Sequence, residues 1–266
     1  MVELHTPRSL IVTFYGAYGR AFEGPVPVSA LIRLLGAAGV DAPSVRSSVS
    51  RLKRRGLLLP ARAADGSAAY ELSAEARQLL DDGDRRIYGS PPPCDEWLVA
   101  VFSVPEQERH KRHLLRSRLA RLGFGTVAPG VWIAPAGLAV ETGHTLDRLG
   151  LTPYVELFRG AHLGFASTAE AVARWWDLAG LAKQHEEFLD LHEPALRALQ
   201  SGPEPTPEEA YRGYLLALDT WRHLPYADPG LPRALLPADW PGDRAAAVFA
   251  ELHARLRDSG GRFAGP

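Results

Sequence analysis

Serine hydroxyls and arginine guanidiniums recur on one side of a predicted helix within residues 41–62. Val45, Val49 and Leu52 follow at spacings of four and three residues, so they form a single buried stripe. The opposite side carries side chains of the kind that bind phosphates and base edges in the DNA major groove. Six Lys or Arg and one acid give this segment a net charge of +5. The predicted DNA-contacting residues are Ser44, Arg46, Ser47, Ser50, Arg51, Arg54 and Arg62.

The elements around this helix follow the order of a winged helix-turn-helix. Ser29 is placed to cap the preceding helix, and Asp41 with Pro43 is typical of the first turn of the next one. Gly56 ends that helix, and two short apolar segments then flank an Asp-Gly turn, as in a β-hairpin. We predict helices over 8–18 and 29–35, a helix between Asp41 and Gly56, strands over 57–59 and 69–72, and a helix from Ser73 to residue 80.

Other interpretations of these residues remain open. A serine and arginine face is also typical of a helix that only faces solvent. His185 and His192 lie seven residues apart among glutamates, but they lack the compact spacing of a metal-binding helix. The sequence contains no nucleophile elbow, no phosphate-binding glycine loop and no dinucleotide fingerprint. We therefore predict no catalytic residue, no metal and no cofactor.

The composition is that of an ordinary globular protein, and it limits the possible partners. The chain has 266 residues, of which 46% are hydrophobic and 23% charged, with a net charge of −1. Any attraction to phosphate must therefore come from a local patch. The sequence shows no secretory signal and no apolar run near the ~18 residues of a membrane span. We expect a cytoplasmic protein without a membrane partner, and the single cysteine, Cys94, excludes an internal disulfide.

Changes in the sequence pattern predict three domains. An acidic and then proline-rich segment over 81–93 is the first boundary. The next segment alternates strand and helix, at 97–101, 107–122, 131–134, 140–149 and 155–158. This order is typical of a ferredoxin-like α/β sandwich, whose open edges often pair with a second copy.

The remainder of the chain is predicted to be helical. One helix covers 167–181, carries Trp175 and Trp176 and continues in some form to Leu199, and a proline-rich break over 201–207 follows. Thr206 with Glu209 then opens a helix through Trp221, and the last helix covers 243–256. The predicted fold is therefore α+β. Its domains are a winged helix-turn-helix over 1–88, a ferredoxin-like central domain over 94–166 and a helical C-terminal domain over 167–266.

Six strings along the chain carry a family resemblance. They are SLIVTFYGAY from Ser9, VRSSVSRLKRRGLL from Val45, YELSAEA from Tyr70, VFSVPE from Val101, LGFGTVAPGVWIAP from Leu122 and YADPGLPRALLPADWPG from Tyr226. In these strings and in their order the chain resembles the PaaX type of bacterial repressor, over nearly its whole length. The resemblance implies the same three-part architecture. It also implies a homodimer that binds a palindromic double-stranded DNA operator and is released by an acyl-CoA, phenylacetyl-CoA in the founding case.

An acyl-CoA effector requires cations for its phosphates and an apolar slot for its acyl end. The candidate effector-binding residues are Trp175, Trp221, Arg222, His223 and Trp240. The competing interpretation is that these aromatic side chains fill the core. Our hypothesis is that some of them line a pocket between the central and C-terminal domains.

Two rival functions differ in class from a repressor. One is a metal-dependent nuclease built on the central domain. The resemblance implies that this domain is similar to the small CRISPR adaptation nuclease, and in such nucleases an aspartate at the end of the first strand holds a metal. Here that position is Ser103, so the main metal ligand is missing. The other rival is an interaction adaptor whose winged helix binds a protein. The residues and the resemblance together favour a dimeric DNA-binding repressor.

Overall fold

The computed structural model describes residues 5–89, 96–228 and 230–265, which divide into two compact units. The first unit contains the described parts of Met1–Ile87, Glu187–Arg222 and Asp243–Pro266. The second unit contains those of Tyr88–Glu186 and His223–Gly242. Segments that are distant in sequence therefore share one core in the first unit. The division of the chain into domains over 1–88, 94–166 and 167–266 stays a prediction.

The first unit begins with three helices. Thr6 caps α1, since its hydroxyl accepts a hydrogen bond from the Ser9 amide at 3.2 Å. Asp41 caps α3 as predicted. The predicted Ser29 cap is wrong, because α2 begins earlier, at Val28, and Pro27 at its N-cap position makes no side-chain cap hydrogen bond. The helices are α1 (Pro7–Ala17), α2 (Val28–Ala37) and α3 (Ala42–Arg54).

A three-stranded antiparallel sheet follows these helices. The strands are β1 (Val26–Pro27), β2 (Leu58–Arg62) and β3 (Ala68–Leu72), in the order β1-β3-β2. The predicted hairpin is present, with Leu58 opposite Leu72. The sequence analysis missed β1, because two residues that include a proline give no alternating pattern.

The next helix, α4 (Ala74–Tyr88), is longer than predicted. The Ser73 hydroxyl accepts a hydrogen bond from the Ala76 amide at 3.1 Å, which is the predicted cap. The helix then continues through the acidic segment and ends at Tyr88, its last residue before the proline-rich part of the predicted boundary. The Arg20 guanidinium binds Asp81 at 2.6 Å and Asp84 at 2.5 Å, which compensates their negative charge. The proline-rich remainder of the predicted boundary lies outside the described residues.

Apolar side chains from all these elements form the core of the first unit. Helix α1 packs against α2 and α3. The stripe predicted for α3 is buried, with Val45, Val49 and Leu52 each at most 3% exposed. Other buried apolar residues of these elements are Leu10, Ile11, Phe14, Leu31, Leu34, Leu35 and Leu58.

The second unit contains a four-stranded sheet covered by two helices. Its elements are β4 (Trp97–Phe102), α5 (Arg109–Arg121), β5 (Gly125–Ala128), β6 (Val131–Pro135), α6 (Ala139–Arg148) and β7 (Val155–Gly160). All neighbouring strands are antiparallel, in the order β5-β6-β4-β7. This is the strand order of a ferredoxin-like sandwich, so the predicted fold class is confirmed.

The two faces of this sheet bury different side chains. Leu98 and Ala100 pack with Leu119 of α5 on one face. Trp97 and Ile133 pack on the other face, against apolar side chains from later parts of the chain. The sequence analysis missed edge strand β5. Only the first of its four residues is buried, so the strand shows no alternation of buried and exposed positions.

Five helices follow the sheet: α7 (Thr168–Trp175), α8 (Leu178–Ser201), α9 (Pro207–Trp221), α10 (Leu224–Ala227) and α11 (Gly242–Ala264). The predicted single helix over 167–181 is wrong, because Trp176 adopts an extended backbone conformation. Its buried indole N–H donates to the Gly123 carbonyl at 2.9 Å, which explains the break. The predicted start of α9 is correct, since Thr206 and Glu209 form a reciprocal capping box. Within the described residues no helix has the length and apolarity needed to cross a bilayer.

Candidate nucleic-acid interface

Helix α3 presents a polar and cationic side to solvent. Its exposed positions lie on the side opposite the buried stripe, because side chains three or four residues apart share one face of a helix. Ser48 is also fully buried, so not every serine of this helix faces out. The exposed predicted residues are Arg46, Ser47, Ser50, Arg51 and Arg54.

The exposed arginines of α3 are not neutralised by carboxylates. Within the described residues, no ion pair engages Arg46, Arg51 or Arg54. Lys53 and Arg55 are exposed beside them, although they were not among the predicted contacts. The run of Lys and Arg residues in the sequence would have been enough to predict both Lys53 and Arg55 as contacts. The C-terminal half of α3 is therefore a positively charged surface available to an anion.

Asp41 makes the first turn of α3 negative. Its carboxylate accepts hydrogen bonds from the Ser44 amide and hydroxyl, both at 2.8 Å. These hydrogen bonds hold the pKa of Asp41 below its usual range, so the cap is ionised at neutral pH. Phosphate is repelled from this end, and the Ser44 hydroxyl already donates its hydrogen to the cap. Anion contacts are therefore favoured towards the middle and end of the helix.

Arg51 is oriented by its own helix. Its Nη2 donates to the hydroxyl of the buried Ser48 at 3.2 Å. A bond one turn back restricts the guanidinium and leaves its other donors exposed. A restricted guanidinium loses less entropy when it binds a base edge or a phosphate.

The hairpin of β2 and β3 carries the last predicted contact. Arg62 is exposed, and its Nη1 donates to the Gly66 carbonyl across the turn at 3.0 Å. Gly66 has a φ of 80°, a conformation that suits glycine, and Asp65 accepts a hydrogen bond from the Ser67 amide at 2.9 Å. The turn is thus internally bonded, and Arg62 remains accessible at its base.

A buried carboxylate ties α1 to α9 behind this surface. Asp219 accepts hydrogen bonds from the hydroxyls of Thr13 at 2.6 Å and Ser9 at 2.7 Å. Arg222 at 3.3 Å provides a compensating charge, and the His5 ring lies 3.1 Å from the carboxylate. Although burial alone raises the pKa of Asp219, the hydrogen bonds and the Arg222 charge lower it to about 2. This network holds α1 on α9.

The five candidate effector residues do not lie together within either unit. Trp221 and Arg222 belong to the first unit, whereas Trp175, His223 and Trp240 belong to the second. Trp221 is buried and stacks on Phe249, with ring centroids 4.8 Å apart. Arg222 also donates to the Ser9 hydroxyl at 2.6 Å, so its guanidinium has a structural role.

The three candidates in the second unit have different surroundings. Trp240 is 7% exposed and packs edge-on against His185, with ring centroids 5.6 Å apart. Trp175 is half-buried and lies against Trp97 at 5.8 Å. His223 is exposed. Trp240 and Trp175 thus pack against the apolar core, and a role of these residues in effector binding stays a prediction.

The sequence analysis missed an open apolar cavity of about 520 Å³ in the first unit. It lies among α8, α9 and α11, where Ala195, Leu216 and Leu252 belong to its lining. His192, which also lines it, is bonded to the Thr220 hydroxyl at 3.1 Å. Burial, helped by the charge of His5, lowers the pKa of His192 to about 4, so this side chain is neutral at pH 7. Helical periodicity gives no signal of a gap between three helices.

The described parts of the chain contain no cluster of three or more His, Cys, Asp or Glu side chains that could hold a metal ion. Ser103 follows the end of β4, and its amide donates to the Tyr154 carbonyl at 3.1 Å. An exposed serine thus occupies the position at which the nuclease alternative would need a metal-binding carboxylate.

Comparison with known proteins gives matches along most of the chain. Three protein-family models match in succession: "PaaX-like protein" over residues 6–76, "PaaX protein central Cas2-like domain" over 91–172 and "PaaX-like protein C-terminal domain" over 176–265. A curated relative, "Transcriptional repressor PaaX" of Escherichia coli K12, is 26% identical over 254 residues. The alignment covers 93% of this chain and 79% of that protein.

A solved structure shares the fold. It is that of an uncharacterised protein from Mycobacterium tuberculosis, with a TM-score of 0.59 and 22% identity. The match covers 96% of this chain and 98% of that one. Because the three family models follow one another along nearly the entire sequence, the chain belongs to the PaaX family.

Proposed function

We propose that this protein is a transcriptional repressor that binds double-stranded DNA through α3 and the hairpin of β2 and β3. The observation that carries the proposal is the exposed row of uncompensated arginines on α3, opposite its buried stripe. Arginine donors of this kind bind phosphates and can bind guanine through two hydrogen bonds. The name of the Escherichia coli relative supports the same function.

We further propose that the repressor acts as a homodimer on a palindromic operator. Two copies of α3 related by a two-fold axis would enter successive major grooves, with centres ~34 Å apart or at a multiple of that spacing. Edge strand β7 supports pairing of two copies, because Phe158 on it is 56% exposed. The family resemblance supports the same assembly.

The proposed effector is a small acyl-CoA, with phenylacetyl-CoA as the first candidate. The open apolar cavity among α8, α9 and α11 supports a site for the acyl end of this ligand, since ligand pockets have volumes of about 300–1,000 Å³ and mostly apolar linings. An effector that binds better to the form with low DNA affinity weakens operator binding by the same factor. Titration with phenylacetyl-CoA should therefore release DNA, and an unchanged operator affinity would exclude this ligand.

Substitution of Arg51 tests the DNA-binding proposal. We expect Arg51→Ala to weaken binding to a fragment of the protein's own promoter by about 1–3 kcal/mol, if this side chain contacts a base. Fluorescence anisotropy at fixed salt measures the affinity. Arg212→Ala is the matched control, because Arg212 is an exposed arginine of α9. Equal affinities of both variants and the wild type would remove Arg51 from the interface.

The nuclease and adaptor alternatives predict different results. A nuclease would cleave the promoter fragment when a divalent metal is added, whereas the proposed repressor leaves it intact. An adaptor would bind the fragment no better than unrelated DNA at any salt concentration. Specific, salt-dependent binding without cleavage is the result expected for a repressor.

A further inference from the structure

The open apolar cavity of the first unit is lined by a buried histidine that has an unused ring nitrogen. Most of the lining is apolar, and its polar side chains are His5, His192, Glu204 and Glu209. His192 lies on α8 and is only 6% exposed. The protonation of its ring therefore decides which polar group of a ligand the cavity can bind.

The hydrogen bonds of Thr220 determine which nitrogen of His192 carries the hydrogen. The Thr220 hydroxyl donates its only hydrogen to the Leu216 carbonyl at 3.0 Å. It must therefore accept the hydrogen bond that joins it to the Nε2 of His192 at 3.1 Å. Since burial lowers the pKa of His192 to about 4, the ring is neutral at pH 7. Its Nδ1 is then a hydrogen-bond acceptor.

The Nδ1 of His192 has no partner and can be reached. Within the described residues no hydrogen bond involves this atom. It is also not among the side-chain atoms there that are closed to solvent and lack a partner. Because His192 as a whole is buried and lines the cavity, the access to Nδ1 is through the cavity. A buried acceptor is normally bonded, so this nitrogen indicates the position of an absent donor.

The charges around the cavity do not suit an anion. Among the described residues of the lining there is no Lys or Arg, and Glu204 and Glu209 are carboxylates. Hydrogen bonds from the Thr206 hydroxyl at 2.7 Å and amide at 2.9 Å hold the pKa of Glu209 below its usual range. Glu209 is therefore ionised at pH 7, whereas His192 is neutral and offers no compensating charge. An anionic group inside the cavity would remain unpaired.

The same residues do not favour a cation at His192. Both glutamates are exposed, whereas His192 is buried. A cation that pairs with the carboxylates stays at the surface, and one that reaches His192 loses its hydration among apolar side chains. The ligand group that meets His192 is therefore an uncharged donor.

We propose that the open apolar cavity binds an uncharged apolar molecule whose hydroxyl or N–H group donates a hydrogen bond to the Nδ1 of His192. The cavity volume of about 520 Å³ is within the range of ligand pockets. The inference rests on the part of the proposed function that makes this cavity the effector site, and it specifies the chemistry of the group that enters. An acyl-CoA meets this requirement only with its phosphates outside the cavity.

Calorimetric titration of the full-length protein at pH 7 tests the proposal with probes of similar size. The probes are 1-octanol, its isomer heptyl methyl ether, which lacks a donor, octanoate and octylammonium. We expect 1-octanol to bind saturably and about three- to tenfold more tightly than the ether, which is the contribution of one hydrogen bond. Both charged probes should bind more weakly than 1-octanol.

Substitution of His192 tests the role assigned to its Nδ1. His192→Phe keeps an aromatic ring and removes the acceptor. This variant should bind the ether within about twofold of the wild-type affinity and should no longer prefer 1-octanol. The affinity for the ether also reports whether the cavity is intact.

A second variant locates the site without changing the histidine. Ala195 is an exposed residue of the lining, and Ala195→Phe places a large side chain there. We expect it to weaken 1-octanol binding about tenfold or more, because it occupies part of the cavity. The matched control is Ala179→Phe, since Ala179 is exposed on the same helix and is not part of the lining. The control should bind 1-octanol as the wild type does.

Four results would overturn the proposal. They are no saturable binding of 1-octanol by the wild type, binding of the ether or a charged probe at least as tight as that of 1-octanol, an undiminished preference for 1-octanol in His192→Phe, and equal 1-octanol affinities in the two alanine variants. None of these titrations contains DNA. A protein that binds its operator and is released by phenylacetyl-CoA, but does not bind 1-octanol, would refute this inference alone.

Discussion

Residues of the same type in this protein differ in burial and, with it, in the contacts that their side chains make. Serines illustrate this on one helix: Ser47 and Ser50 are exposed, whereas Ser48 is buried and accepts a hydrogen bond from Arg51. The sequence predicted the exposed pair from helical spacing. The bond to Ser48 depends on a side-chain conformation that spacing does not specify.

His192 should make stability depend on pH below neutrality. Its pKa is lowered from 6.5 to about 4 in the folded protein, so the unfolded chain binds more protons between these values. The contribution to stability is therefore complete above pH 6.5 and is lost as the pH falls to 4, for a total of about 3 kcal/mol. Urea denaturation at pH 7 and pH 4.5 measures this change.

The control for this prediction is His192→Gln, which can keep a hydrogen bond to Thr220 but does not titrate. Its stability should change less than that of the wild type over the same pH interval. Identical pH dependence in the two proteins would show that another group is responsible.

Asp41 has two opposing roles that one substitution separates. Asparagine caps a helix about as well as aspartate but carries no charge. We expect Asp41→Asn to leave the thermal stability almost unchanged and to strengthen DNA binding a few-fold, since a negative charge near the phosphates is removed. Anisotropy titrations at low and high salt measure the effect. Unchanged DNA binding in this variant would place the start of α3 away from the DNA backbone, and weaker binding would contradict the proposed repulsion.

At the scale of elements, the sequence predicted helices that have local signals and missed features set by distant contacts. Thr206 with Glu209, and Asp41 with Pro43, mark helix starts through neighbouring residues, and both starts were predicted. The break at Trp176 depends on a hydrogen bond to Gly123, more than fifty residues away. The α3 stripe was predictable because four-residue periodicity is local, whereas the apolar cavity arises from three helices.

The last helix, α11, was predicted to end at residue 256 but continues to Ala264. Gly260 and Gly261 lower the helix propensity of this region, which explains the error. Gly260 is nevertheless required, because a Cβ there would lie 2.6 Å from the Tyr18 hydroxyl and 2.8 Å from the Tyr211 Cα. The close approach of α11 to these residues stabilises the extension.

Alanine substitutions at the two glycines should have opposite effects. We expect Gly260→Ala to destabilise the protein by about 1–3 kcal/mol through overpacking. Gly261→Ala should be neutral or stabilising by up to about 1 kcal/mol, because its Cβ would lie at an ordinary 3.7 Å from Tyr18. Urea denaturation of both variants measures the difference. Equal effects would contradict the packing described for α11.

At the scale of the whole molecule, charge is distributed unevenly around a nearly neutral total. The chain has a net charge of −1, while residues 41–62 carry +5. Such a local patch supports DNA binding with a modest salt dependence, because few phosphates are neutralised. The composition of the whole chain does not reveal this patch, whereas the net charge of residues 41–62 does. The first unit, however, combines segments more than one hundred residues apart, and local sequence patterns do not predict such an arrangement.

The salt dependence of operator binding tests the central claim, that the exposed side of α3 binds DNA. The measurement is the affinity for the protein's own promoter fragment between 50 and 200 mM salt, approximately the range in which phosphate contacts dominate. The account predicts that Arg46→Ala/Arg54→Ala weakens binding and reduces the slope of log affinity against log salt by about 2, whereas Arg212→Ala changes neither. Wild-type affinity and slope in the α3 double variant would contradict it.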